Sequence, residues 1–181
     1  MGLEVVFIAV LILANGLFAM AEIAVVSARK AKLRQWADEG DVRAKAALDL
    51  TGHPNRFLAA VQVGISLVGI LAGAFGGATI AEGIAAWVKT VAPLAEYAEA
   101  ISLAIVVVTI TYFSLVVGEL VPKRLGLNSP ERIASYVAGP MRVLAKVALP
   151  VVRVLDASTN AVIWVLRIKP SQDPVITPEE L

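Results

Sequence analysis

A glutamate that directly follows a long apolar run is the residue of this sequence best suited to chemistry. Glu119 comes after the run Ala100 to Gly118, which carries no charge, and Pro122 lies three residues further on. A carboxylate at membrane depth is costly and is by default a candidate functional group. Proline has no N–H and cannot donate a hydrogen bond to the carbonyl four residues earlier, which here is that of Gly118. A carboxylate beside a carbonyl oxygen that lacks its helical hydrogen bond suits a hard cation such as Mg²⁺ or Na⁺. The alternative is that the helix ends at the proline and that Glu119 is only an interfacial residue.

The composition indicates an integral membrane protein. Of the 181 residues, 58% are hydrophobic and 17% are charged, and the mean hydropathy is +0.77. An average soluble domain has roughly 25% charged residues. The chain has no cysteine, which excludes disulfides, zinc–thiolate sites, iron–sulfur clusters and cysteine catalysis from it. A net charge of +1 indicates neither a nucleic-acid partner nor an acidic substrate.

Three segments are long and apolar enough to cross a bilayer. We predict an all-α membrane fold with spanning helices over about residues 5–27, 57–81 and 100–120. Each approaches the roughly 20 residues that about 30 Å of hydrocarbon requires. Seven Lys and Arg residues lie between spans one and two and eight after span three, but only one lies between spans two and three. This distribution predicts a multi-pass protein of the plasma (inner) membrane with its N-terminus outside and its C-terminus in the cytoplasm.

Two further segments are predicted to form helices at the cytoplasmic surface. The first covers about residues 28–50 and is broken near Gly40; its basic residues either bind anionic lipid or are simply solvated. The second covers about residues 130–168, where Pro140 and Pro150 are expected to bend or divide it. Its part up to residue 156 is expected to lie in the interface with a charged stripe towards water, formed by Arg142, Lys146, Arg153 and Asp156. Its part from residue 157 is apolar and too short to span.

Small residues mark one face of span two. Gly69, Gly73 and Gly77 are spaced by four and stack on one helix face, which lets another helix approach closely. This packing serves either the bundle of one chain or a dimer interface. Ser66 lies near the stripe and offers a hydroxyl group. His53 is the only histidine and stands beside a proline, where a structural role is favoured over a ligand role.

Span one carries two polar residues, Asn15 and Glu22, which are seven residues apart and therefore share roughly one face. An asparagine in lipid is expected to make a hydrogen bond to another helix. Glu22 either pairs with Arg29, pairs with the end of a neighbouring helix, or belongs to the ion path.

Three motifs resemble the transmembrane domain of the CorC and cyclin M (CNNM) proteins. They are Asn15-Gly-Leu-Phe-Ala-Met-Ala-Glu22, the segment Val61 to Phe75, and Gly118-Glu-Leu-Val-Pro-Lys123. Their order and spacing match, and the resemblance covers essentially the whole chain. It implies a homodimeric domain over residues 1–169, with three spanning helices and juxtamembrane helices on the cytoplasmic side. It also implies that residues 170–181 are a linker towards a cytoplasmic CBS-pair module, the only part that would bind ATP.

The resemblance further implies Mg²⁺ export by alternating access, in exchange for Na⁺ running inward. The family motif assigns metal-ligand roles to Glu119 and Gly118, with Pro122 shaping the site. Ser27 matches a hydroxyl position at the end of span one. Many relatives carry Asn in span two where this chain has Ile65 and Gly69, so Ser66 would have to replace those amides or a ligand is missing. Further residues expected to shape the site are Asn15 and Glu22.

Two other classes of function stay open. One is a membrane anchor that dimerises a cytoplasmic regulatory module without transporting anything, which predicts a dry dimer interface. The other is a transporter of a different cation, Na⁺ or Co²⁺, although Co²⁺ usually takes imidazole ligands. An enzyme is not expected, because no span contains a Ser–His pair, a His cluster or two neighbouring carboxylates.

Overall fold

The computed structural model describes residues 2–52 and 54–166, and every regular element in those ranges is helical. Three stretches are long and apolar enough to cross a membrane, Gly2–Ser27, Pro54–Phe75 and Pro93–Asn128. The prediction of an all-helical chain with three candidate membrane spans is therefore confirmed. His53 and the predicted linker, residues 170–181, lie outside the described residues.

The helices in chain order are α1 (Gly2–Ser27), α2 (Lys30–Asp38), α3 (Val42–Gly52), α4 (Pro54–Phe75), α5 (Ala81–Val88), α6 (Ala98–Leu115), α7 (Val121–Asn128) and α8 (Pro130–Val165). Two π-helical turns of five residues join neighbouring helices. The first π turn, Gly76–Ile80, connects α4 to α5, and the second π turn, Val116–Leu120, connects α6 to α7. A 3-10 helix, Ala92–Tyr97, precedes α6.

Helix α1 packs against both other spans. It is antiparallel to α4, because Phe7 near its start touches Phe75 at the end of α4, with ring centroids 4.9 Å apart. It is parallel to α6 and α7, because Asn15 meets Gly118 and the later residue Met20 meets Gly126. These directions are those of a chain that crosses a bilayer three times.

Glycines allow α1 to approach the second π turn and α7 at backbone distance. A Cβ atom at Gly16 would lie 2.9 Å from Cγ of Pro122 and 3.0 Å from the carbonyl oxygen of Val117. A Cβ atom at Gly126 would lie 2.9 Å from the carbonyl oxygen of Met20. Real Cβ atoms are essentially never closer than such distances, so these two positions accept only glycine without a backbone shift.

The predicted glycine stripe of span two does not serve this purpose within one chain. A Cβ atom at Gly69 or Gly73 would meet nothing within 4 Å, and one at Gly77 would only reach Leu103 at 3.8 Å. The close contacts of this segment are instead made by Gly64, which faces Phe18, and Gly76, which faces Ile110. Within the described part of one chain no helix therefore packs against Gly69 or Gly73, and use of the stripe in a dimer stays a prediction.

The largest buried cluster lies where the end of α1, the start of α4, and helices α2, α3 and α8 meet. Its three bulkiest fully buried side chains are Phe57, Leu33 and Val61. Most of the remaining members are alanines, which let the helices pack closely: Ala21, Ala24, Ala28, Ala44, Ala47, Ala134 and Ala138. This cluster anchors α1 and α4 to three helices that are not among the candidate spans.

Those three helices follow the predicted segments in part. Helices α2 and α3 flank Gly40, whose φ of 98° lies in the left-handed region that glycine readily adopts. Helix α8 is a single helix of 36 residues, so Pro140 and Pro150 do not divide it, and the alternative that they bend it stays a prediction. Packing of α8 along α1, α3 and α4 holds it together, although each proline removes one backbone hydrogen bond. Their position at a membrane surface stays a prediction.

A buried carboxylate fastens α8 to the start of α2. Glu131, which is 4% exposed, accepts hydrogen bonds from Arg29 Nε at 2.7 Å and from Lys32 Nζ at 3.3 Å. Desolvation raises the pKa of this carboxyl group, but the bonds from Arg29, its own backbone and Lys32 outweigh it and lower the pKa from 4.5 to about 2. Arg29 therefore pairs with Glu131 and not with Glu22, so the predicted pairing of Glu22 with Arg29 is wrong.

We expect Gly16→Ala to lower the free energy of unfolding by about 1–3 kcal/mol, because its Cβ would overlap the Pro122 ring and a backbone oxygen. Unfolding of the purified protein in detergent measures this. The matched control is Gly139→Ala on α8, where a Cβ meets nothing within 4 Å and stability should be kept or slightly raised. Equal stability of the Gly16 variant and wild type would contradict the close approach.

We expect Glu131→Gln to lower the free energy of unfolding by about 1–3 kcal/mol at pH 7, because the charge-assisted bonds to Arg29 and Lys32 are weakened. The folded-state pKa is depressed, so this contribution is present above about pH 4.5 and is lost as the pH falls towards 2. The difference in stability between wild type and variant should therefore shrink over that window. Glu96→Gln, at an exposed position, is the control and should show no such difference.

Candidate cation site at the second π turn

The second π turn positions the glutamate that the sequence singled out. Within it, the N–H of Val121 donates to the carbonyl of Val116, five residues earlier instead of four. The wider turn carries the chain past Pro122, whose ring would clash with the carbonyl of Gly118 in a regular helix. The helix therefore continues through α7 to Asn128, and the alternative that it ends at the proline is wrong. Such turns inside helices are often found at functional sites.

The Gly118 carbonyl cannot accept a hydrogen bond from Pro122, and it accepts one from the neighbouring helix α1 instead. Asn15 Nδ2 donates a hydrogen bond to this oxygen at 3.0 Å. The interhelical bond predicted for Asn15 is therefore confirmed. Gly118 itself is buried, and a Cβ there would come within 3.2 Å of the carbonyl oxygen of Ile12. The other amide atom, Asn15 Oδ1, is buried and has no hydrogen-bond partner in the part of the chain that the structure describes.

Two carboxylates and one ammonium group form a cluster just beyond this bond. Lys123 Nζ donates to Glu119 Oε1 at 2.7 Å and lies 4.0 Å from Glu22 Oε2. The side chains of Glu119, Lys123 and Glu22 are 41%, 35% and 26% exposed. Glu22 thus pairs with the end of a neighbouring helix, which was one of its three predicted roles. We call Glu22, Glu119 and Lys123 the carboxylate cluster.

The hydroxyl ligands expected from the family resemblance do not join this cluster in the structure. On α1, Ser27 lies five residues after Glu22, about 7.5 Å along the helix, and twelve residues after Asn15, about 18 Å along the helix from the Asn15–Gly118 contact. It lines a separate polar cavity of about 480 Å³ together with Arg29, Lys32 and Glu131. Ser66 is exposed on α4. No group of three or more His, Cys, Asp or Glu residues in the described ranges could hold a metal ion. The ligand set stays a prediction and would require a different conformation.

The two sides of the Asn15–Gly118 contact differ in polarity. Towards the start of α1 lies a cavity of about 540 Å³ between α1 and α6, whose lining is almost wholly apolar. Its lining residues are Val5, Ile8, Ala9, Ile12, Leu13, Ile80, Thr109, Ile110, Phe113 and Val117. Towards the end of α1 lies the carboxylate cluster. The apolar lining disfavours the approach of a charged group from the side of this cavity.

Sequence reasoning missed two residues of this site. Lys123 was quoted only as the last residue of a motif, although its spacing of four from Glu119 is that of an ion pair on a helix. Gly16 brings α1 against the π turn, and nothing in its own sequence context distinguishes it from the other glycines of the spans.

Comparison with known proteins agrees with the fold and the motifs. The chain matches the cyclin M transmembrane N-terminal domain family over residues 6–181. It is 49% identical to the UPF0053 protein sll0260 of Synechocystis over 99% of this chain and 40% of that relative. It is 32% identical to the polyamine export protein of Haemophilus influenzae, over 96% of this chain and 40% of the relative.

The polyamine export protein of Escherichia coli K12 is 28% identical over 98% of this chain and 40% of its own length. The chain thus spans about two fifths of the length of the curated relatives that it matches. Because the family match covers nearly the whole chain, this protein belongs to the cyclin M (CNNM) family, through its transmembrane N-terminal domain.

Proposed function

We propose that this domain exports a cation across the membrane and that the cargo is bound at Glu119. The observation that carries the proposal is the carboxylate cluster beside the second π turn, where two carboxylates from different spans face one point. A carboxylate at this depth in a spanning helix is costly and is usually retained for function. The chain belongs to a family with relatives that are named as export proteins, which agrees with a transport role.

The charge of the cluster supports a cation as the cargo. Glu22 and Glu119 carry two negative charges against the single positive charge of Lys123, so the cluster has an excess negative charge. An anion would be repelled from this point, and a neutral cargo would leave the excess negative charge uncompensated. A cation would neutralise it.

Alternating access accounts for the different polarity of the two sides. The carboxylate cluster is half-exposed, whereas the cavity on the other side of the Asn15–Gly118 contact is almost wholly apolar and opposes the passage of an ion. With the orientation predicted from the basic residues, the cluster faces the cytoplasm. Cargo would then load from the inside and leave after α1 and α6 separate at the apolar cavity, which is the direction of export.

Mg²⁺ in exchange for Na⁺ is the cargo that the sequence resemblance implies. Glu119 would compensate the charge of the ion. The Gly118 carbonyl would have to give up its hydrogen bond from Asn15 in order to bind the ion. Ser27 and Ser66 would have to move towards Glu119 and Gly118. Mg²⁺ dehydrates reluctantly and usually keeps several waters, so a site with few protein ligands is compatible with it. We also propose a homodimer and an ATP-binding CBS-pair module after the linker, in keeping with the family.

A polyamine is a second candidate cargo, and a specific observation favours it. The carboxylate cluster already holds an alkylammonium group, that of Lys123, with an N–O distance of 2.7 Å. Relatives from Haemophilus influenzae and Escherichia coli that align over nearly all of this chain are called polyamine export proteins. Like Mg²⁺, a polyamine carries at least two positive charges.

We expect Glu119→Gln to reduce cation export from proteoliposomes of the full-length protein to the level of empty liposomes, because the neutral amide no longer compensates the cargo charge. Efflux of Mg²⁺ and of spermidine is followed with and without an opposing Na⁺ gradient. The control is Glu99→Gln, which also removes one exposed Lys–Glu pair but lies at the other end of α6, and it should transport like wild type.

The cargo that wild type moves identifies the substrate, and dependence on the Na⁺ gradient identifies exchange. Equal export by wild type and the Glu119 variant, with both proteins folded by size-exclusion chromatography, would contradict the proposal and favour a membrane anchor. Transport of Na⁺ or Co²⁺ alone would assign a different cation.

A further inference from the structure

We propose that Lys123 is a tethered counterion: its ammonium group occupies the carboxylate cluster when cargo is absent and is displaced when cargo binds. This inference rests on the proposed function, because it concerns the same site. It adds a residue that sets cargo affinity and favours cargoes with at least two positive charges.

The geometry gives Lys123 the position of a bound cation. Its ammonium lies 2.7 Å from a carboxylate oxygen on its own helix and 4.0 Å from one on α1. The two carboxylates come from the two spans that must separate in alternating access. A cargo ion compensating both would occupy the same region, so the ammonium and the cargo exclude each other.

Charge balance favours exchange over joint occupancy. With Lys123 in place the cluster has one net negative charge, and a divalent cargo added beside it would leave one net positive charge. When Lys123 swings out, the two carboxylates neutralise a divalent cargo completely. Empty and loaded clusters thus stay close to neutral, whereas two carboxylates without any cation would be costly to hold near the membrane interior.

Exposure makes this pair suited to displacement. In the isolated chain Lys123 is 35% exposed and Glu119 41% exposed, so the protein encloses neither group and the pair can open without unpacking a helix. Lysine carries its charge on a flexible four-carbon stem, so the ammonium can leave without movement of the backbone. The pair between Arg29 and Glu131 is different, because the Glu131 side chain is only 5% exposed and is also bonded to Lys32. That pair holds helices together, whereas the Lys123 pair can open.

Binding of Mg²⁺ and of spermidine to the full-length protein in detergent, measured by calorimetry, tests the role of Lys123. We expect Lys123→Gln to tighten binding of the cargo by about tenfold or more, because a competitor is lost and the cluster gains a negative charge. Lys123→Arg keeps the charge and should bind like wild type. The matched control is Lys89→Gln, which removes the exposed pair with Glu99 at the other end of the spans and should leave the affinity unchanged.

A second measurement uses wild type alone and does not depend on the folding of a variant. Reaction of lysines with an amine-reactive reagent is followed by mass spectrometry while Mg²⁺ or spermidine is added. Labelling of Lys123 should rise with the same half-saturation as cargo binding, because its ammonium is released. Labelling of Lys89 should not change.

Unchanged or weaker cargo binding in a folded Lys123→Gln variant would overturn the inference, as would labelling of Lys123 that stays constant or falls at saturating cargo. If wild type exports none of Mg²⁺, spermidine, Na⁺ and Co²⁺, the proposed function fails and the inference fails with it. If wild type exports one of them and Lys123→Gln binds it no more tightly, only the role of Lys123 is lost.

Discussion

The close contact between α1 and the second π turn is the constraint on which the site depends. Gly16 lets the backbone of α1 reach Pro122, and Asn15 then donates to the Gly118 carbonyl that the proline leaves without a partner. A buried carbonyl without a partner would cost roughly 1–3 kcal/mol, so the bond also lets α6 continue into α7. One contact therefore joins two spans and fixes where Glu119 lies.

Two charged clusters near the same end of the bundle differ in how deeply their carboxylates are buried. Glu131 is almost completely buried and receives hydrogen bonds from Arg29 and Lys32, so its negative charge is held permanently. Glu119 and Glu22 are partly exposed, and a single ammonium group faces both. Opening the first cluster would break the bonds that tie α8 to the start of α2, whereas opening the second changes only the partner of a carboxylate.

The sequence predicted those features that follow from local pattern. Hydropathy over about 20 residues identified three spans, and the charge-free run before Glu119 identified the candidate site. The cost of an unpaired amide in lipid predicted the interhelical bond of Asn15. Glycine spacing alone did not predict the close helix contacts. A glycine stripe shows that another helix can approach that face, but it does not show that a helix packs against it. Gly69 and Gly73 carry the pattern, but Gly16 and Gly126 make the contacts.

Composition and periodicity by themselves determined that the chain is helical, has three candidate spans and carries a costly carboxylate near the end of the third, because these depend on residues close together in sequence. Only the tertiary structure decided that α7 continues past Pro122 and that Glu22 faces Lys123 instead of Arg29. It also decided that Ser27 lines a different cavity and that Ser66 is exposed on α4. These outcomes depend on which backbone atoms of separate helices come within hydrogen-bonding distance, and the packing of α1 against the π turn sets those distances.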